Sequence, residues 1–233
     1  MKYGKLTLFV CAFSVLFLFG CRSSKVVKNN DNVTTLVVQP IHNPREILIA
    51  TVGGMEVSNK EDPGIVAESW TWSGNPLWTR DAFDFDLSAI PQNAKIIKAE
   101  LTLYTNYTPT NGNLKDANFG KNNSIFIQSI RYPWDVNTVT WAGQPQTTTD
   151  GEILVPSTSQ PFLDLTLDVT NMIKQKVNLH TNYGFLVRLQ NENNTTDVYP
   201  NPDWSVVYAS RIFCSSKYSD ASRHPKLVVV YQK

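Results

Sequence analysis

The clearest signal in the chain lies between residues 81 and 103, where hydrophobic and polar positions alternate. Phe83, Phe85 and Leu87 fall on one parity and Asp84, Asp86 and Ser88 on the other, the pattern of a strand with one face in a core. Ile97, Ala99, Leu101 and Leu103 repeat it with Lys98, Glu100 and Thr102 opposite, and Ile90-Pro91-Gln92-Asn93 supplies turn residues between the two runs. Further runs rich in β-branched and aromatic residues, at 47–52, 124–130, 163–167, 183–190, 205–210 and 226–231, are separated by Asn, Asp, Gly, Pro and Thr. One segment changes period: Val169, Met172, Ile173 and Val177 recur at helical spacing around Thr170, a good N-cap, which predicts a two-turn helix over 171–177. Many short strands and one short helix predict an all-β fold, a jelly-roll β-sandwich of two antiparallel sheets.

The N-terminal residues follow a different pattern. Lys2 and Lys5 precede an apolar run over 6–19 that is too short to span a bilayer as a mature helix, and the run ends at Gly20-Cys21. Leu18-Phe19-Gly20-Cys21 resembles the lipobox of bacterial lipoproteins. In that family the cysteine receives a diacylglycerol, the preceding segment is cleaved and the new N-terminus is acylated, commonly with palmitate. The resemblance implies a signal peptide over 1–20, a lipid on Cys21, and a protein anchored to the outer membrane of the bacterial envelope, facing the periplasm or the cell surface. An ordinary secretory signal with Cys21 incidental is the alternative. Residues 21–45 include Ser23, Ser24, Asn29, Asn30, Asp31 and Asn32 and sustain no period, so they are expected to be a flexible tether before a domain over 46–233.

Composition narrows the partners. With 233 residues and 42% hydrophobic content, the chain can bury one sizeable core. Its 21 basic and 20 acidic residues offer no field that would attract nucleic acid. Cys11 leaves with the signal and Cys21 is the lipidation site, so Cys214 has no partner for a disulfide within the domain and reads as a small buried hydrophobe.

A resemblance spans most of the remaining chain. Arg80 with Phe85-Asp86-Leu87-Ser88-Ala89-Ile90-Pro91, then Ala99-Glu100-Leu101-Thr102-Leu103-Tyr104, Trp134, Val139-Thr140-Trp141 with Gln144-Pro145, Asp168-Val169-Thr170, Asn182-Tyr183-Gly184-Phe185, Cys214-Ser215-Ser216 and Pro225-Lys226-Leu227 resemble, in order, the DNRLRE-type domain. That family includes carbohydrate-binding modules of bacterial polysaccharide-degrading systems and cell surfaces. It implies a β-sandwich that binds polysaccharide or another surface glycan without catalysis. Such modules often hold a structural calcium, but no calcium loop of fixed spacing is legible here and the metal ligands are unknown. The sequence departs from the family pattern at Asp135 and at Ala142-Gly143.

Sugars present flat C–H faces to aromatic rings, so a glycan site needs exposed Trp or Tyr beside amides, carboxylates or arginines. Trp134 and Trp141 lie in the family pattern and are expected in the core. Trp70, Trp72, Trp78, Tyr107 and Trp204 are the candidate ligand-binding residues; for the tryptophans among them a packing role is the alternative. Tyr107 opens a polar stretch over 105–123 with five asparagines after it, and residues 191–203 are similarly amide-rich.

No catalytic residues are assigned. Asp84 and Asp86 share a face about 7 Å apart by strand geometry, a spacing that suits a glycosidase pair, but solvation or pairing with an arginine explains them better. His42, His180 and His224 have no metal-ligand spacing. A structural or adhesion domain that binds protein is the competing reading, and a polysaccharide lyase or hydrolase a more distant one.

Overall fold

The computed structural model describes residues 24–30, 32–40, 45–192 and 204–233. The expected signal segment and Cys21 therefore lie outside the described residues. Two antiparallel sheets face each other. The first contains β1 (Ser24–Asn30), β2 (Val33–Val38), β7 (Lys95–Leu103), β11 (Leu165–Asp168) and β14 (Lys226–Gln232), in the order β1-β2-β14-β7-β11. The second runs β10-β9-β12-β6-β5-β13-β8, from β10 (Thr147–Val155), β9 (Ile125–Ile130), β12 (Phe185–Leu189), β6 (Asn75–Phe83), β5 (Gly64–Trp72), β13 (Ala209–Cys214) and β8 (Asn118–Phe119). To β6 it adds β3 (Glu46–Val52), which also pairs with β4 (Met55–Asn59). This is the all-β sandwich that the alternation predicts.

The main core lies between the sheets. Leu36, Leu101, Leu103, Leu227 and Val229 of the first sheet meet Ile65, Ala67, Phe83, Ile125, Phe185, Val187 and Phe213 of the second, and all are essentially inaccessible to solvent. Helix α1 (Thr170–Asn178) packs Met172, Ile173 and Val177 against this core. Two smaller clusters lie beside it: Ile47, Ile49, Ala82 and Leu186 under the half-buried Trp134 and Trp141, and Leu48, Ala50, Val66 and Ile212 with Leu77 and Val57.

Several local expectations change. Ile97 is 47% exposed while Ile96 is buried, because the pairing of β14 with β7 slips between Val230 and Tyr231. The bulge reverses the parity of the strand start. Phe85 and Leu87 are buried as expected, but β6 ends at Phe83, so their segment packs inward without ladder pairing. Residues 24–30 and 33–38, expected as tether, are strands. Thr34, Leu36 and Val38 alternate inward and β2 pairs along β14, a six-residue pattern within a polar segment. Thr170 does not cap α1: its hydroxyl accepts the Ala99 N–H at 2.9 Å, while the carboxylate of Asp168 receives the Thr170 N–H. Of the strand expected over 205–210, the first part is the helical turn α2 (Trp204–Val207).

Cys214 is buried, its thiol donates to the Thr105 carbonyl at 3.3 Å, and burial pushes the thiol up to about 11, leaving it unreactive. Asp84 pairs with Arg45, and the exposed Asp86 accepts the Ser88 N–H.

Candidate functional site

Two tight hairpins build the site. In the β5–β6 hairpin, Ser73 and Gly74 both have positive φ and Trp72 pairs with Asn75 across the turn. In β3–β4, Gly53 and Gly54 do the same between Val52 and Met55. Two-residue turns of this kind match strand twist. The hairpins are linked by the Gly53 N–H to the Pro76 carbonyl at 2.8 Å.

A cleft of ≈ 500 Å³ lies on this surface. Alternation explains its floor. Along β5, Ile65 and Ala67 turn into the main core, so Glu68, Trp70 and Trp72 lie on the opposite side of the strand and line the cleft. Leu77 and Thr79 of β6 and Leu48, Ala50 and Val52 of β3 complete the floor. The far wall is the polar loop, through Thr110, Asn111, Gly112 and Leu114. Asn111 holds that wall in place by donating its side-chain amide to Asp62 at 3.3 Å.

The two tryptophans of β5 differ in freedom. Trp70 is half-buried, its ring centre 4.3 Å from that of Tyr208 and 5.4 Å from that of Phe119, which it meets in a T-shaped contact. Trp72 is 59% exposed, and the 67% exposed Leu114 lies on the same cleft. A fixed ring next to an exposed one suits a sugar platform, because the fixed ring loses no freedom when a ligand docks.

The other expected residues do not join them. Trp78 lies on the opposite parity of β6 from Leu77 and Thr79, half-buried, with its indole N–H buried and unpartnered among the described residues. Tyr107 is 52% exposed but sits elsewhere, its ring 5.2 Å from Phe162 and 4.4 Å from the Arg223 guanidinium. The side chain of Trp204 lies outside the described residues, as do residues 193–203 of the second amide-rich loop. Trp134 and Trp141 pack on the small cluster beneath Arg45 and Arg80.

Sequence reasoning missed Glu68, Asp62 and the wall residue Asn111 as parts of one site. A signal for Glu68 existed: it shares parity with Trp70 and Trp72 on one strand. Glu68 is 1% exposed, and burial, augmented by the neighbouring Asp62 charge and opposed by a hydrogen bond from the Gly112 N–H, pushes its carboxyl up to about 8. Asp62 is also shifted upward by burial, against hydrogen bonds from the Gly64 N–H, Asn111 and Asn59.

A second hollow of ≈ 600 Å³ is lined by Tyr132, Trp134 and Gln144. Two of its polar side chains are engaged within the protein: the Trp134 indole donates to the Tyr183 carbonyl at 2.7 Å, and Gln144 donates to the Trp141 carbonyl while accepting from Arg80. Among the described residues no three Asp, Glu, His or Cys side chains are placed to share a metal, so no step is derived through one.

The model of carbohydrate-binding module family 96 matches residues 65–203, well over half of the chain. The match takes in β5, β6 and the loop wall of the cleft. No curated protein matches the chain.

Proposed function

The chain belongs to carbohydrate-binding module family 96, and from that premise we propose that the Trp70–Trp72 cleft binds polysaccharide or another surface glycan without catalysis. The observation that carries this reading is Trp72, a large aromatic side chain left 59% exposed beside a cleft whose largely apolar floor also presents Glu68 and Thr79. A solvent-facing tryptophan costs hydrophobic free energy that ring stacking recovers when a sugar excludes the water. The DNRLRE-type pattern in the sequence supports the same reading.

Replacing Trp72 by Ala is expected to weaken glycan binding about tenfold to a hundredfold, the loss of one aromatic anchor worth roughly 1 to 3 kcal/mol. The thermal midpoint should hardly move, since the ring is mostly in solvent. Calorimetry or affinity electrophoresis against neutral and acidic polysaccharides, beside melts of each variant, tests this. Undiminished binding, or binding lost only together with stability, would sink the assignment. A structural or adhesion role would then take its place; Val26 and Val27, exposed on β1 at the end of its sheet, favour that alternative.

We further propose that the module is held at the outer membrane by a lipid on Cys21, on the strength of the charged start, the apolar run and the Leu18-Phe19-Gly20-Cys21 sequence. Cys21→Ala should shift the protein from the membrane fraction to the soluble periplasmic or secreted fraction. Retention in the membrane fraction would count against lipidation.

A further inference from the structure

The outer face of the first sheet carries valines that belong to none of the apolar clusters. Directly opposed residues of paired strands share a face. The register therefore sets Lys25, Val37, Val228 and Glu100 in one row across the sheet, and Val27, Thr35, Val230 and Lys98 in the next. On the other parity, Leu36, Leu101, Leu227 and Val229 fill the main core. Val37, Val228 and Val230 thus point away from it, half-buried by their neighbours within the sheet, and pack against none of the three clusters. Val27, 39% exposed, extends this surface onto β1. Lysines border it: Lys25, Lys95 and Lys98 are exposed, Lys226 is half-buried, and together they outnumber Glu100 and Asp168 on the same face.

Where the chain enters this sheet points to what lies against the face. β1 begins at Ser24, three residues after Cys21, and that length of chain reaches no further than about 11 Å. A tether over 21–45 would let the module turn freely above a membrane; strands from Ser24 onward remove that freedom. We propose that the outer face of the first sheet lies on the anionic phospholipid surface of the membrane, with its lysines against the phosphates and Val37, Val228 and Val230 toward the interface. The inference rests on the proposed lipid at Cys21. Lysines close to a membrane are drawn by its negative surface potential, an attraction that salt weakens. Apolar side chains on the same basic face add to it by leaving water, as they do in interfacial helices. The acyl chains hold the protein at the membrane, and the face fixes how it stands there. Glu68, Trp70 and Trp72 lie on the outer side of the opposite sheet. This orientation therefore turns the Trp72 cleft toward the medium, where a polysaccharide can reach it.

The test uses the full protein purified from membranes and reconstituted into vesicles of phosphatidylcholine, with and without phosphatidylglycerol. Mass spectrometry first establishes the diacylglyceryl group on Cys21; a protein without it removes the anchoring reading and this inference with it. A fluorophore is then attached through Val230→Cys or, on the second sheet, through Met55→Cys, where the native side chain is 65% exposed. Cys214 is buried and stays unlabelled. Nitroxide-labelled lipid is expected to quench the label at position 230 in vesicles containing phosphatidylglycerol and to leave the label at position 55 bright. Lys25→Glu combined with Lys95→Glu, both at exposed positions, should shift the balance of docked and undocked protein at least about tenfold toward undocked. The thermal midpoint should stay in place, and added salt should act in the same direction as the charge reversals. If Val230→Cys fails to fold, Val37→Cys carries the label. Equal quenching at the two positions, or quenching indifferent to phosphatidylglycerol and to the lysines, would overturn the docking while leaving the lipid on Cys21 intact. A disulfide between copies through Val230→Cys, formed in detergent as readily as in vesicles, would overturn it in favour of a second copy of this chain on the same face.

Discussion

Leu101→Asp is expected to leave most of the protein unfolded at 25 °C. Leu101 is inaccessible to solvent, at the centre of β7, paired in register with Leu227 of β14 on one side and Leu167 of β11 on the other. Truncating such a leucine alone costs about 2 to 5 kcal/mol. Aspartate adds either an unpaired buried charge or the cost of protonating it. The sum rivals the roughly 5 to 15 kcal/mol that holds a typical domain together. Two companion variants make the test specific to the bulge. Ile96→Asp should be severely destabilising and Ile97→Asp should cost no more than about 1 kcal/mol, since Ile96 is buried and Ile97 is half in solvent. Denaturant titrations of the three would settle it, and an unfolded Ile97→Asp beside a stable Ile96→Asp would restore the uninterrupted alternation.

Stability is also expected to fall by several kcal/mol between about pH 4.5 and pH 8. Three buried acids drive the fall. Burial, against hydrogen bonds from Ser216, pushes Glu46 up to about 7, and burial pushes Glu68 up to about 8. Asp81 is raised well above the usual carboxylate range by burial, with the charges of Glu46 and Asp62 adding to it. Its Oδ2 accepts the Val66 N–H at 3.4 Å, and its Oδ1 has no partner among the described residues. Each group binds its proton more tightly folded than unfolded. Its stabilising contribution is thus complete below the unfolded value and is lost as pH rises through the folded one. At roughly 1.4 kcal/mol per unit of pKa difference, Glu46 alone contributes on the order of 3 kcal/mol.

Lys176 works in the opposite sense. Burial pulls its ammonium down to about 8, although it donates to the Gly184 carbonyl at 2.8 Å and lies 4.9 Å from the centre of the Phe185 ring. The unfolded chain holds that proton more tightly, so stability rises between about pH 8 and the ordinary lysine value. Thermal or denaturant midpoints measured from pH 4 to 8 should fall throughout the range. A midpoint flat or climbing from pH 5 to 8 would mean these carboxyls are ionised and well paired in the folded protein.

Alternation along single strands carried the fold class and most of the core. The inward positions Phe83, Phe85, Leu87, Ala99, Leu101 and Leu103 are legible because a strand with one dry face must place apolar residues at every second position. The helix at 170–178 was legible for the same reason at its own period. The cleft was legible only in part: Trp70 and Trp72 share parity on one strand, and the polar loop that forms the wall stands out by composition.

What the sequence by itself determined is therefore which residues share a face, since side-chain direction follows from the backbone repeat of each segment. Only the tertiary structure decided what each face meets. It placed Ile97 outside by a slip against β14, drew Thr34, Leu36 and Val38 of a polar segment into the sheet, turned Trp78 away from Trp70 and Trp72, and sealed Glu68 beneath the Asn111 wall. Pairing register and loop closure join residues dozens of positions apart, and the free energy that selects them comes from surface buried between segments, which no local repeat encodes.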